Sequence, residues 1–377
     1  MIGKKRVVVG LSGGVDSSVA AALLIERGYE VSGVYLECYN EPGCRTDQDK
    51  ADALKVALKL GIPFQVLDFR KEYKERVIEY FYREYEAGRT PNPDVMCNRE
   101  VKFGIFYDWA LRQAQGKPGF DYVATGHYAR IKQFTNSNLQ FTSKENFHLQ
   151  RAKDESKDQS YFLWQIPQDH LEHILFPLGE MQKSEVRAKA KELNLVTASK
   201  PDSMGICFIG DVNVSNLLEK RLGENLGEVL YQGKVVGSHR GLWFYTIGER
   251  SGFDLDKAKM KKMGMHPEKM PPLYVIGKNK EKNQLIVGER EETMTRHFMA
   301  EFTNSNLQFT NKWVHDGNKK LFVRIRNLGE LYEVVNLKIV NCKLEIETAM
   351  AVFGVAEGQS CVFYDEDKVL VGGSIIV

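Results

Sequence analysis

The sequence predicts an α/β N-terminal domain built on a doubly wound parallel sheet, then a small β-rich central domain and a C-terminal β-barrel domain. Over roughly the first 125 residues, short apolar runs alternate with helical patterns, which is typical of parallel sheets. From about residue 210, glycines interrupt short strand-like runs, and from about residue 285 alternating runs continue to the end. We expect the domain boundaries at 1–208, 209–282 and 283–377.

Composition limits the classes of protein that fit this chain. Of the 377 residues, 43% are hydrophobic and 27% are charged, which is the composition of an ordinary globular protein. The formal net charge of +2 does not by itself indicate a nucleic-acid-binding protein. No stretch approaches the roughly 20 apolar residues of a membrane span, and no apolar signal core opens the sequence. We therefore expect a cytoplasmic protein with no membrane partner. The six cysteines contain no CxxC pair, which disfavours a zinc or iron–sulfur site.

The predicted elements bring several loops to one edge of the sheet. Strands are expected at 6–9, 31–36, 64–67 and 122–125, and helices at 17–27, 47–60, 71–86 and 100–115. Ligands bind at the carboxyl ends of parallel strands, where residues 10–17, Leu36, residues 89–97 and Gly126 all fall. Farther along, residues 257–272 have the pattern of a linker or loop.

The strongest motif is SGGVDS, which begins at Ser12 between a strand and a helix. Its backbone N–H groups face an anion at a helix N-terminus, and Gly13 and Gly14 permit close backbone approach and positive φ. Ser12 and Ser17 supply hydroxyl donors, and Asp16 is a candidate Mg²⁺ ligand. The Walker lysine is missing, which argues against a P-loop kinase or GTPase. The alternative is a plain Gly-Gly turn capped by serine.

Two cysteines lie in motifs that suit chemistry. In RTPNPDVMCN, two prolines stiffen a loop that ends on Cys97 at a helix start, where the helix dipole and Arg99 favour the thiolate. Asp94, three residues earlier, is a candidate general base. In DSMGICFIG, Cys207 lies between glycines at a domain boundary. Taken alone, each motif has a structural alternative, namely a rigid turn with an idle cysteine and a buried strand.

Two further segments complete the candidate site. His127 follows a strand at the ligand-binding edge, in the segment GHY. Lys157 and Gln159, in KDQSYFL, are candidates for contacts with a phosphate or a base edge. Each of these residues is equally well explained as a surface feature.

Together these motifs resemble the tRNA-specific 2-thiouridylase family, the bacterial MnmA type, and SGGxDS resembles the pyrophosphate-binding loop of the PP-loop ATPases. The match runs in order through SGGVDSSVAA, AGRTPNPDVMCN, ATGHYAR, KDQSYFL, PDSMGICFIGD, the stretch at 239–248, GQS and VFY. The resemblance implies an N-terminal domain of the PP-loop ATPase type, similar to adenine nucleotide α-hydrolases. It also implies an enzyme that replaces the 2-oxygen of the wobble uridine in tRNAs for Lys, Glu and Gln with sulfur. In that family ATP adenylates the oxygen and a cysteine persulfide supplies the sulfur.

The resemblance also implies roles for individual residues. Cys207 would hold the persulfide, received from a sulfur-relay protein or a cysteine desulfurase. Cys97 would be the second catalytic cysteine and end in a disulfide with Cys207, and Asp94 would be the acid/base group. ATP, with Mg²⁺, would be bound by Gly10, Leu11, Ser12, Gly13, Gly14, Val15, Asp16, Ser17, Leu36 and Gly126. The target base and the rest of the tRNA would be contacted by Asn92, Pro93, Asp94, His127, Lys157, Asp158, Gln159, Arg326, Asn327 and Gln359.

Some positions depart from the family pattern. The usual Gly-Gln-Arg-x-Gly contains Glu249 here, the usual Arg-Tyr-Arg is altered at 324–327, and residues 257–272 carry clustered lysines. These lysines are either phosphate contacts or a solvated loop. The nine residues FTNSNLQFT occur at 134–142 and again at 302–310, and we expect a duplicated insert without a catalytic role. Cys342 and Cys361 are expected in the core.

Two rival hypotheses stay open. A different adenylating PP-loop reaction, such as amidotransfer, would not need Cys97 and Cys207. A nucleotide- or RNA-binding protein without chemistry would keep its whole function when both cysteines are replaced by serine.

Overall fold

The computed structural model describes residues 4–40, 46–112, 119–134, 146–202, 213–301, 320–341 and 343–377. Cys44, Cys207, Cys342 and nearly all of both FTNSNLQFT copies lie outside these ranges. Within them, the predicted fold class is confirmed, since a parallel sheet, a second mixed sheet and a closed barrel follow one another along the chain.

The N-terminal domain is organised around the parallel sheet. The strands of this domain are β1 (Arg6–Gly10), β2 (Glu30–Glu37), β3 (Phe64–Asp68), β4 (Tyr122–Ala124), β5 (Ala129–Phe134), β6 (Asn146–Arg151) and β7 (Ile174–Leu175). In the described part of the chain the parallel order is β3-β2-β1-β4-β7, and β5 and β6 form a separate antiparallel pair. Val7, Val8 and Val9 are completely buried, as expected of a central strand that is covered on both faces.

Helices cover the sheet. They are α1 (Val15–Glu26), α2 (Thr46–Leu60), α3 (Arg70–Tyr73), α4 (Glu79–Glu86), α5 (Pro93–Cys97), α6 (Phe106–Leu111) and α7 (Lys183–Glu192). π-Helical segments join α3 to α4 (Lys74–Ile78) and α5 to α6 (Asn98–Ile105). The helix expected from residue 100 therefore begins earlier, at Pro93, because proline suits the first helical position and the Asn92 side chain caps it.

The central domain differs from the prediction in two places. It contains α8 (Val214–Leu222), β8 (Gly227–Tyr231), β9 (Lys234–His239), β10 (Asp254–Leu255), α9 (Lys257–Lys262), β11 (Tyr274–Asn279) and β12 (Gln284–Gly288). The expected linker at 257–272 begins instead with a helix, because Asp256 caps α9 and the α9 side chain of Met260 is fully buried in the domain core. β12 pairs in parallel with β8, so the central sheet extends to Gly288, past the boundary expected at residue 282.

The C-terminal strands close into a barrel. They are β13 (Met294–Glu301), β14 (Leu321–Arg324), β15 (Tyr332–Val340), β16 (Lys343–Phe353), β17 (Ser360–Asp365) and β18 (Leu370–Ile376), paired in the closed order β13-β16-β15-β14-β17-β18. Cys361 lies in the barrel core as predicted, and burial raises the pKa of its thiol to about 12. Among the described residues, no helix has the length and apolar character needed to cross a membrane.

Candidate active site

The SGGVDS loop joins the end of β1 to the start of α1. Gly13 has φ of +72°, and a Cβ there would lie 2.1 Å from the backbone oxygen of Asp49, so this position requires glycine. Gly14, in contrast, is extended, with φ of −96°, and needs no positive φ. The backbone N–H of Ser12 donates to the Ser17 hydroxyl over 3.1 Å, which closes the loop on the first turn of α1. The loop thus leads directly into the N-terminus of α1, and the anion-binding role expected of that helix start stays a prediction.

Charged partners surround the loop. Lys183, the first residue of α7, donates to both carboxylate oxygens of Asp16 over 2.7 and 2.8 Å, and the Tyr128 hydroxyl donates to one of them over 2.8 Å. Burial, reinforced by Asp16, raises the pKa of Tyr128 well above its usual range. Lys200 donates to the backbone oxygen of Gly13 over 2.8 Å. Sequence reasoning missed both lysines, because each lies more than 160 residues from the loop and no motif marks either.

The other predicted nucleotide residues lie around the same loop. A Cβ on Gly126 would lie 2.5 Å from the backbone nitrogen of Ser17, so the chain after β4 presses directly on the loop. Leu11, Val15 and Leu36 are buried, so their side chains belong to the core. The described residues contain no group of three or more His, Cys, Asp or Glu that could hold a metal ion.

The second predicted segment, RTPNPDVMCN, forms one wall of a pocket. Asn92 Oδ1 accepts a hydrogen bond from the backbone N–H of Val95 over 3.2 Å, which turns the chain into α5. The pocket has a volume of about 260 Å³. From the N-terminal domain it is lined by Phe81, Tyr85, Pro91, Asn92, Pro93, Asp94, Tyr161 and Phe162, and from the other domains by Val214, Arg326, Asn327 and Gln359. Six residues predicted to contact the tRNA or its target base therefore line one cavity.

Two side chains in this pocket carry unused hydrogen-bond capacity. The Oδ1 atom of Asn327 and the Oε1 atom of Gln359 are buried and have no partner within the described structure. A buried acceptor without a partner costs about 1–3 kcal/mol. Asn327 and Gln359 line the pocket together with four aromatic residues, Phe81, Tyr85, Tyr161 and Phe162.

Cys97 is fully buried at the end of α5, so the expectation that it stands at a helix start is wrong, because α5 already begins at Pro93. It lies in the same continuous helical run as Asp94, which lines the pocket one turn earlier. Cys207 lies outside the described residues, so the predicted pairing of these two cysteines stays a prediction.

Four predicted tRNA contacts lie elsewhere, and two of them are inside the fold. His127 is buried, with Nδ1 2.7 Å from the Thr125 hydroxyl and Nε2 3.3 Å from Lys102 Nζ. Burial, and then the charge of Lys102, holds the pKa of His127 well below its usual range. Asp158 is completely buried. Both side chains face protein groups in this structure, and their contact with tRNA stays a prediction.

The remaining two lie closer to the surface. Lys157 donates to Asp202 over 2.8 Å, and the Gln159 side-chain oxygen accepts from the backbone N–H of Tyr128 over 2.9 Å. Glu249, which departs from the family pattern, accepts from the backbone N–H of Thr246 over 2.9 Å and so stabilises a turn.

Comparison with known proteins covers all three domains. Family models match residues 5–211 (tRNA methyl transferase HUP domain), 215–289 (tRNA methyl transferase PRC-barrel domain) and 299–376 (aminomethyltransferase beta-barrel domain). The tRNA-specific 2-thiouridylases MnmA of Streptococcus pyogenes serotype M1 and of serotype M4 strain MGAS10750 are each 40% identical over 380 residues. Each alignment covers 99% of this chain and 95% of the relative.

Solved structures give weaker matches. The U34-tRNA thiolase NcsA from Methanococcus maripaludis is 18% identical, with a TM-score of 0.33 over 58% of this chain and 67% of that one. A 4-thiouridine synthetase–RNA complex is 20% identical, with a TM-score of 0.33 over 57% of this chain and 49% of that one. Neither match is close enough to bear on function. The full-length relatives are decisive, and the chain belongs to the tRNA-specific 2-thiouridylase family.

Proposed function

We propose that this protein is a tRNA-uridine 2-sulfurtransferase, which uses ATP to replace the 2-oxygen of the wobble uridine with sulfur in tRNAs for Lys, Glu and Gln. The observation that carries the proposal is the pocket between Asn92, Asp94, Arg326, Asn327 and Gln359. Enzymes that modify a base inside a folded nucleic acid turn it out of its stack into such a pocket. Cytoplasmic tRNA is the expected substrate.

The pocket chemistry suits a pyrimidine. Aromatic side chains such as Phe81 and Tyr85 offer faces on which a base can stack. The unpartnered oxygens of Asn327 and Gln359 accept hydrogen bonds, and uracil offers one ring N–H donor at N3. We propose that a bound base turns one of these buried oxygens toward its N3–H, which would satisfy that acceptor and favour binding.

The SGGVDS loop would hold the phosphates of ATP. ATP supplies an adenylyl group, so that O2 of the base bonds to the α-phosphorus, pyrophosphate leaves, and the oxygen becomes part of a good leaving group. The backbone N–H groups at the start of α1 hold the pyrophosphate portion, and Lys183 places a positive charge beside them. Mg²⁺ would accompany the ATP phosphates, and Asp16, whose oxygens accept from Lys183, would be its candidate protein ligand.

The cysteines would deliver the sulfur. In one route the terminal sulfur of a Cys207 persulfide attacks C2 of the base and AMP leaves; Cys97 then attacks Sγ of Cys207 and releases the 2-thio base. In the other route Cys97 attacks Sγ of Cys207 first, and the sulfide released displaces AMP. Both routes end in a Cys97–Cys207 disulfide, which a thiol reductant returns to two thiols. A sulfur-relay protein or a cysteine desulfurase would load the persulfide.

Cysteine variants test this proposal. With ATP, Mg²⁺, unmodified tRNA and a persulfide donor, Cys97→Ser and Cys207→Ser are expected to release pyrophosphate yet form no 2-thiouridine, because adenylation precedes the cysteine steps. Cys342→Ser is the control, because Cys342 lies outside both cysteine motifs, and it should thiolate normally. If both active-site variants thiolate like the wild type, the cysteine chemistry is wrong.

A further inference from the structure

The proposed base pocket is built from separate domains. Asn92 and Asp94 belong to the N-terminal domain, whereas Arg326, Asn327 and Gln359 belong to the barrel. The pocket therefore keeps this shape only while the barrel holds its position against the N-terminal domain. Side chains that fix the relative position of the two domains therefore determine where Arg326, Asn327 and Gln359 lie in the pocket.

A buried ion pair crosses the domain interface. Asp158 Oδ2 accepts from Arg324 Nη1 over 2.8 Å, and the exposed fractions of the two side chains are 0% and 3%. Within the N-terminal domain, Asp158 also accepts from Arg151 Nε over 3.3 Å and from the Ser160 hydroxyl over 3.0 Å. Arg324 ends β14 and stands two residues before Arg326. The pair thus anchors the chain segment that supplies the pocket wall.

The Tyr161 hydroxyl makes a second connection. Its single proton is shared between the backbone oxygen of Ile325, 3.0 Å away, and that of Ser360, 2.9 Å away. Ile325 directly precedes Arg326, and Ser360 directly follows Gln359. One hydroxyl from the N-terminal domain therefore touches both barrel segments that line the pocket.

The segment that carries Gln359 is held from its other side as well. The backbone N–H of Thr90 donates to the backbone oxygen of Glu357 over 2.7 Å. Gly358, with φ of +88°, packs so closely that a Cβ would lie 3.0 Å from the backbone of Thr90. Gln359 thus stands between two fixed points, one at Thr90 and the other at Tyr161.

We infer that Asp158 and Tyr161 are positioning residues of the base pocket: acting through Arg324, Ile325 and Ser360, they hold Arg326, Asn327 and Gln359 at the distance that a tRNA base requires. This inference rests on the proposed function. Under this inference Asp158 acts on tRNA binding indirectly, because it positions the barrel residue Arg326 through Arg324. This role also explains why a carboxylate so deeply buried lies in the KDQSYFL motif.

The test compares two buried tyrosines. Tyr161→Phe removes the hydroxyl that donates across the interface and preserves the ring. Tyr245→Phe is the matched control, because Tyr245 is equally buried and donates to the backbone oxygen of Gly252 over 2.7 Å within the central domain. Each variant is assayed for KM of tRNA, KM of ATP, kcat of thiolation and urea unfolding.

Tyr161→Phe is expected to raise the KM for tRNA by roughly tenfold while the KM for ATP stays unchanged, since losing one interface hydrogen bond weakens binding by up to about tenfold. Tyr245→Phe should leave both KM values unchanged. A purely destabilising effect would lower the active fraction, and hence kcat, without altering either KM.

If Tyr161→Phe does not fold, Tyr364→Phe replaces it, because the Tyr364 hydroxyl lies 3.0 Å from the Ser160 hydroxyl across the same interface. An unchanged tRNA KM in the folded variant overturns the inference. Absence of thiolation by the wild type would instead overturn the proposed function, so the two failures are distinguishable.

Discussion

Replacing Gly126 with alanine is expected to disable the nucleotide loop without altering any polar side chain. The added Cβ would lie 2.5 Å from the nitrogen of Ser17 and 2.7 Å from the carbonyl carbon of Asp16. Ordinary contacts begin near 3.4 Å, so the loop or the chain after β4 has to move by roughly 0.9 Å. A displacement of about 1 Å costs up to roughly 10²-fold in rate, and the overpacking itself costs about 1–3 kcal/mol.

Steady-state kinetics with ATP as the varied substrate, with urea unfolding alongside, measure both effects. We expect kcat/KM for ATP to fall by roughly 10²-fold in Gly126→Ala. Gly277→Ala is the control, because a Cβ there comes no closer than 3.5 Å to its neighbours. A folded Gly126→Ala variant with wild-type kcat/KM for ATP would show that the close packing of Gly126 against Ser17 is not needed for ATP use.

Two further predictions concern buried charges. Asp158→Asn should lower the free energy of unfolding by about 3–5 kcal/mol, because it leaves Arg324 buried without its counter-charge. The control Glu79→Gln, which removes one partner of the half-exposed pair with Arg221, should cost under about 1 kcal/mol. Equal losses for the two variants in urea unfolding would contradict this prediction. Burial lowers the pKa of Lys278 to about 8 from an ordinary 10.5. The unfolded state then binds more protons between these pH values, so stability should rise with pH across that window and the rise should vanish in Lys278→Met. Parallel stability–pH profiles for the wild type and Lys278→Met would contradict a lowered pKa of Lys278 in the folded protein.

Much of the fold followed from local pattern. The run of valines in β1 and the glycine-punctuated loop before α1 depend on neighbours in sequence, so periodicity and turn chemistry were enough to predict the parallel sheet. The pocket residues Asn92 and Gln359 were reached through motif resemblance, and the structure places both in one cavity.

The parts that sequence could not supply depend on tertiary contacts. Nothing local distinguishes a surface Asp158 from one that pairs with Arg324 across 166 positions. The lysine-rich segment at 257–272 looked like a linker because its exposed residues dominate the pattern, whereas Met260 alone of its first six residues is buried. Lys183 meets Asp16 because α7 packs against α1, which no spacing rule predicts.

The most direct test of the account is the stoichiometry of the reaction. Purified protein is incubated with ATP, Mg²⁺, a sulfur donor and tRNA that lacks the modification; nucleosides are then identified by mass spectrometry and nucleotides by chromatography. The account predicts 2-thiouridine at the wobble position with one AMP and one pyrophosphate for each sulfur inserted. Formation of ADP in place of AMP, or AMP without any 2-thiouridine, would contradict it.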